Sequence, residues 1–145
     1  MNWQEYFYEM ANLVAKKSKD LSTKIGAVIV GPDNEIRSTG YNSFPMGLND
    51  DLQERQDRPE KYYWIEHAER NAIYNAAKIG VSTKDCTMYL NCGTPCCDCT
   101  RGIINSGIKK IYICEKDITK SSHWLEHSKR SKIMLEEASV ELVYY

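Results

Sequence analysis

Two short motifs constrain this chain more than anything else in it: His67-Ala68-Glu69, and further along Pro95-Cys96-Cys97-Asp98-Cys99. An imidazole and two thiolates are typical donors to Zn²⁺, and three such ligands leave the fourth tetrahedral position open for water, which suits a catalytic rather than a closed structural centre. Cys96 and Cys99 are three apart. At the start of a helix their sulfurs therefore share one face, and the positive helix end favours the thiolate forms. Gly93, Thr94 and Pro95 supply the tight approach, with Pro95 suited to the threshold of the first turn. His67 and Glu69 are two apart, and on a regular helix such residues face nearly opposite sides. One metal can serve the pair only if it stands at a helix entrance. The motifs thus predict two helices aiming their N-termini at one zinc, with His67, Cys96 and Cys99 as ligands and Glu69 beside it, unbound, to move protons.

The residues around the motifs supply such helices. Trp3, Tyr6, Phe7, Met10, Leu13 and Val14 recur at helical spacing, predicting an amphipathic first helix that ends near Lys17. Gly26 to Val30 and Glu35 to Tyr41, separated by Gly31-Pro32-Asp33-Asn34, read as a β-hairpin. From Asn42 to Trp64 there is no clear period, only Pro, Gly and charge, so this is a long loop with room for one helical turn. Glu66 to Lys78 reads as a helix stopped by Gly80, Thr87 to Leu90 as a strand, and Cys96 to Ser106 as a helix with Gly107 beyond its end. Lys110 to Ile113 is a strand, Ser122 to Ala138 a helix, and Val140 to Tyr144 a last strand. A hairpin followed by alternating helices and strands implies an α/β fold: a single mixed β-sheet sandwiched by helices in three layers, α/β/α.

A chain of 145 residues fits one domain, here residues 1–145, with a core that needs no disulfides. No stretch approaches the roughly 20 apolar residues of a membrane span. The start, Met1-Asn2-Trp3-Gln4-Glu5, lacks the pattern of a signal peptide, so the chain reads as cytoplasmic, without a membrane partner. In that setting its six cysteines are reduced thiols or metal ligands. Lys plus Arg (19) nearly cancel Asp plus Glu (20), which argues against a basic groove for nucleic acid.

Other candidates have plainer readings. Cys97 would point away from its neighbours and pack; Cys86, Cys92 and Cys114 read as small buried hydrophobes, with Cys92 a reserve ligand. His123 and His127 share a helix face, but with no acidic or Cys partner in sequence they read as solvated. Most of the tryptophans and tyrosines fall at core-facing positions; Trp64 and Trp124 are candidate walls of a base pocket.

With these residues in view, the chain resembles the deoxycytidylate deaminases of the cytidine deaminase-like superfamily. The resemblance runs from Ser18-Lys19-Asp20 and Lys24-Ile25-Gly26-Ala27-Val28-Ile29-Val30, through Gly40-Tyr41-Asn42-Ser43-Phe44-Pro45-Met46-Gly47, to the two metal motifs and Gly107-Ile108-Lys109-Lys110-Ile111. It implies conversion of dCMP to dUMP for dTTP supply, one catalytic Zn²⁺, and a homohexamer. It also implies activation by dCTP and inhibition by dTTP, with Mg²⁺ accompanying the triphosphate. Substrate contacts would fall to Lys24 as a point-charge partner of the phosphate, Asn42 at the sugar, and Ala68 and Pro95. The effector stretch would be Asn42, Ser43, Phe44, Pro45, Met46 and Gly47, where Ser43 replaces the glycine usual in this family. The loop from Asp50 to Trp64 has no Cys or His, so a second, structural zinc is not expected.

Two rival readings are a deaminase of another substrate (dCTP, free cytosine, guanine or tRNA adenosine) and, from a different class, a zinc-stabilised binding module without turnover. In the second, Glu69 would have no purpose.

Overall fold

The computed structural model describes residues 1–114 and 121–145. Helix α1 (Trp3–Ala15) opens with a capping box: the Asn2 side chain accepts the Glu5 N–H while the Glu5 carboxylate accepts the Asn2 N–H, satisfying two donors that a helix start leaves free. Strands β1 (Gly26–Val30) and β2 (Ile36–Tyr41) form the expected hairpin. Two 3₁₀ turns, Gln53–Arg55 and Glu60–Tyr63, punctuate the long loop, one more than its sequence suggests. Then come α2 (Ala68–Ile79), β3 (Thr87–Leu90), α3 (Cys97–Asn105), β4 (Lys110–Ile113), α4 (Ser122–Glu137) and β5 (Glu141–Tyr144). Gly80, at φ 78°, ends α2 in the left-handed conformation that costs a glycine little.

The strands make one mixed sheet in the order β2-β1-β3-β4-β5. β1 pairs antiparallel with both β2 and β3, and β3, β4 and β5 pair in parallel. Among the described residues β1 is therefore the lone reversed strand, and β2, β3, β4 and β5 all end at the same edge of the sheet. The segments leading into α2, α3 and α4 leave from that edge, the usual place for a ligand crevice in α/β sheets.

Alternation along β1 divides the core. Val28 and Val30 face α1 through Phe7 and Ala11, joined by Tyr89 and Tyr112. Ala27 and Ile29 face the other way, onto Ala68 and Ala72 of α2, Ile103 of α3 and Leu135 of α4. Among the described residues, one helix on one face and three on the other complete the three layers.

The buried stripe of α1 is Phe7, Ala11 and Ala15, whereas Trp3, Tyr6 and Leu13 are exposed. The apolar period is right, but its largest members lie at the rim of the stripe. The tyrosines depart from expectation too: Tyr89 and Tyr112 are buried and stack face to face at 4.7 Å, but Tyr62, Tyr63, Tyr74, Tyr144 and Tyr145 are exposed.

At Gly40 of β2 the sheet and α2 meet backbone to backbone. A Cβ there would lie 2.3 Å from the Ala72 nitrogen and 2.6 Å from the Ala68 carbonyl oxygen, neither of which can rotate away. Gly40→Ala is expected to destabilise the fold by about 1–3 kcal/mol. The check is urea unfolding; an unchanged midpoint would mean that α2 does not rest on this strand as described.

Candidate active site

α2 and α3 begin as the motifs predict. His67 is the N-cap of α2 and Cys96 the N-cap of α3, each with an extended backbone. His67 is thus just outside its helix and Glu69 in its first turn, which is how residues two apart reach one point. The His67 Nδ1 lies 3.5 Å from the Cys96 Sγ and 3.4 Å from the Cys99 Sγ. A zinc with ordinary Zn–N and Zn–S bonds and tetrahedral angles places such atoms about 3.6 Å apart, so this donor set fits the ion. Among the described residues, these are the three His, Cys, Asp or Glu side chains that converge in this way.

The electrostatics agree. The two thiols titrate as a pair: Cys96 is pushed far down, chiefly by the hydrogen bond from the Cys99 thiol, while Cys99 is pushed up because it keeps the shared proton. A divalent cation between them is what takes both as thiolates. His67 is raised, first by its hydrogen bond with Cys96. Glu69 is 4% exposed, and burial pushes its carboxyl up. Such a group trades protons nearer neutrality than a solvated carboxylate.

These residues open onto a cavity of about 490 Å³, lined by His67, Ala68, Glu69 and Cys96, by Lys24 and Asn42, and by Trp124. Its volume suits a nucleotide-sized ligand. The Trp124 ring stands 6.2 Å from that of His67. Trp64 is not on this wall: its indole lies under the Arg55 guanidinium and donates to Glu60. Pro95 is buried between lining residues without lining the cavity, and its carbonyl accepts the Thr100 hydroxyl. Asn42 borders the cavity, but its amide is engaged by the Ile25 N–H and the Thr23 carbonyl.

A second cavity of about 220 Å³ adjoins the first, lined by Asn42 through Gly47 with Lys17 and Lys19. Asp20, Asn42 and Ile65 border both.

Cys97 packs as expected, its thiol against the His127 carbonyl and the Ser131 hydroxyl. Cys86 is buried, while Cys92 and Cys114 are partly exposed. His123 is exposed, but His127 is not a solvated surface residue. Its Nδ1 accepts the Cys97 N–H at 3.0 Å, capping the helix that carries the two thiols. The i, i+4 spacing of the histidines gave no hint of this partner, a backbone amide 30 residues away. Sequence reasoning also passed over Arg58, Lys61 and Tyr62, which border the cavity from the long loop.

One imidazole, two thiols and a buried carboxyl are thus gathered at two helix starts in an α/β/α frame, with the first three converging as metal donors. The chain belongs to the family of the cytidine and deoxycytidylate deaminase zinc-binding region, whose model matches residues 1–115. It is 41% identical over 116 residues to the mouse deoxycytidylate deaminase, a match covering 77% of this chain and 64% of the mouse protein, slightly under two thirds. An uncharacterised deaminase from the luxG 3′ region of Aliivibrio fischeri is 37% identical over 142 residues, covering 98% of this chain and 92% of that one. Among solved structures, the dCMP deaminase of cyanophage S-TIM5 in complex with dCMP and dUMP superposes with a TM-score of 0.77 at 26% identity, covering 98% of this chain and 96% of that one. None of the described helices is long and apolar enough to cross a membrane.

Proposed function

We propose that this chain, as a single domain of residues 1–145, is a zinc-dependent hydrolase that deaminates dCMP to dUMP and ammonia. The observation that carries the reading is the convergence of His67, Cys96 and Cys99 beside buried, non-converging Glu69 on a nucleotide-sized cavity. Support for the substrate comes from the mouse relative and the phage structure, which are named for dCMP.

In this reading His67, Cys96 and Cys99 hold the zinc, which when bound supplies the acidification of a water molecule, from a pKa of about 15.7 towards about 7. Glu69 takes the proton that the water gives up and delivers it to the ring nitrogen beside the amino-bearing carbon. Once the water oxygen has bonded to that carbon, Glu69 carries the remaining hydroxyl proton to the amino group, which leaves as ammonia as the C–N bond breaks and the carbonyl forms. Ala68 and Trp124 bound the base, Asn42 the sugar, and Lys24 meets the 5′-phosphate at the rim; Pro95 holds the wall behind them.

The second cavity is proposed as the effector site for dCTP and dTTP with Mg²⁺, formed by Asn42, Ser43, Phe44, Pro45, Met46 and Gly47. Placement in the cytoplasm, a role in dTTP supply and a homohexameric assembly complete the proposal.

The test is ammonia release from dCMP against CMP, dCTP, cytosine and guanine by the zinc-loaded protein. dCMP is expected to lead cytosine and guanine by at least about tenfold in kcat/KM, because a free base leaves the charged phosphate partner of the site unpaired. Faster turnover of a free base would overturn the substrate assignment, and no turnover of any of them would favour the binding module.

A further inference from the structure

Lys61 and Asp20 are 41 residues apart and form, among the described residues, the ion pair that is buried on both sides, with side chains 7% and 4% exposed. The Lys61 Nζ donates to both carboxylate oxygens, at 2.9 and 3.1 Å, and to the Ser22 hydroxyl at 2.9 Å. The same carboxylate accepts the Ser22 N–H at 2.8 Å and the Thr23 N–H at 3.1 Å, which winds residues 20–23 into a turn. Lys24 follows that turn, its Nζ donating to the Ser18 carbonyl. From the opposite segment Arg58 reaches the Ser22 hydroxyl at 3.2 Å. Two stretches distant in sequence, each bearing a cation on the cavity wall, are thus tied at one buried point.

A buried charge pair is a poor source of net stability, since desolvation offsets the attraction, but it specifies geometry strongly because neither partner tolerates separation. Asp20 accordingly sits below the usual carboxylate range, held there by the Lys61 ammonium and the two backbone donors against the opposing effect of burial.

We propose that the Lys61–Asp20 pair is a latch that fixes the 53–64 segment against the 18–24 turn, so that Arg58 and Lys24 meet the phosphate of a nucleoside monophosphate together. Lys61 and Asp20 are positioning residues, and Arg58 becomes a determinant of the monophosphate. The phosphate half of the proposal rests on the substrate reading above; the latch itself does not.

Two measurements on the zinc-loaded protein test it. Lys61→Met leaves a buried carboxylate unpaired and risks misfolding, so the principal variant is the double change Asp20→Asn with Lys61→Met. It removes both charges yet keeps an oxygen to accept the Ser22 and Thr23 amides. Hydrogen exchange by mass spectrometry is expected to quicken over residues 53–64 in the double variant, with peptides from α2 and α3 matching the parent. Exchange over 53–64 equal to that of the parent overturns the latch. In steady-state kinetics KM for dCMP is expected to rise about 10- to 100-fold, the scale of loss from misplacement, with kcat within about threefold. Lys61→Arg, which keeps the charge, is expected to recover most of the KM. An unchanged KM, or a fall in kcat alone, overturns the positioning role. If the parent protein fails to turn over dCMP, the substrate reading fails with it, while the exchange result still decides the latch.

Discussion

Glu69→Gln is expected to lower the deamination of dCMP by about 10²–10⁴-fold, the usual contribution of one positioned proton-transfer group, while zinc content stays at one ion per chain. Gln matches the carboxyl in size, and position 69 is buried in the first turn of α2, so the fold has little reason to change. What is lost is the ability to accept a proton and return it. The Glu69 side chain is not part of the converging donor set, which predicts that metal and chemistry separate cleanly at this residue. Initial rates of ammonia release together with metal analysis by mass spectrometry decide the matter. A variant that keeps a tenth of the parent rate, or that loses its zinc, would assign Glu69 a different role.

Stripping the zinc is expected to abolish turnover and also to weaken the fold. Without the ion Cys96 and Cys99 share a proton; with it bound, His67, Cys96 and Cys99 would tie the starts of α2 and α3 together. A ligand present at a hundred times its Kd adds about 2.7 kcal/mol to the folded state. For a domain of this size that corresponds to roughly 5–10 °C in the melting temperature. Dialysis against a chelator followed by thermal unfolding measures it, and restoring zinc should restore both the temperature and the activity. Cys99→Ala should resemble the stripped protein and fail to recover. Full activity after verified removal of the metal would exclude a catalytic zinc.

Periodicity and turn chemistry made most of the fold legible. Strands β3 and β4 begin and end where their apolar runs do, and the helix ends fall within two residues of expectation, α2 and α3 starting late because His67 and Cys96 are caps rather than part of the helix. The convergence of His67 with the two cysteines was legible for a stereochemical reason, since residues two apart can act together only at a helix entrance. The stretch from Asn42 to Trp64 was not, because its 3₁₀ turns are too short to carry a period. Its contribution to the cavity, through Arg58, Lys61 and Tyr62, depends on a pairing with Asp20 across 41 residues that no local pattern encodes. Trp64 and Trp124 look alike in sequence, and only packing tells them apart: Trp64 is covered by Arg55 from its own loop, and Trp124 is left facing His67. The same holds for His127, whose partner is supplied by the α3 backbone.

Because β1 runs against its neighbours, the hairpin bend at residues 31–35 lies at the far rim of the sheet, together with the bends that join α2, α3 and α4 to β3, β4 and β5. That rim holds none of the converging donors and borders neither cavity. It is therefore the natural attachment point for anything grafted onto the molecule. A fluorophore, an affinity handle or an inserted peptide at Asp33 or Asn34 would ride on the side opposite the reaction, leaving access for small molecules undisturbed.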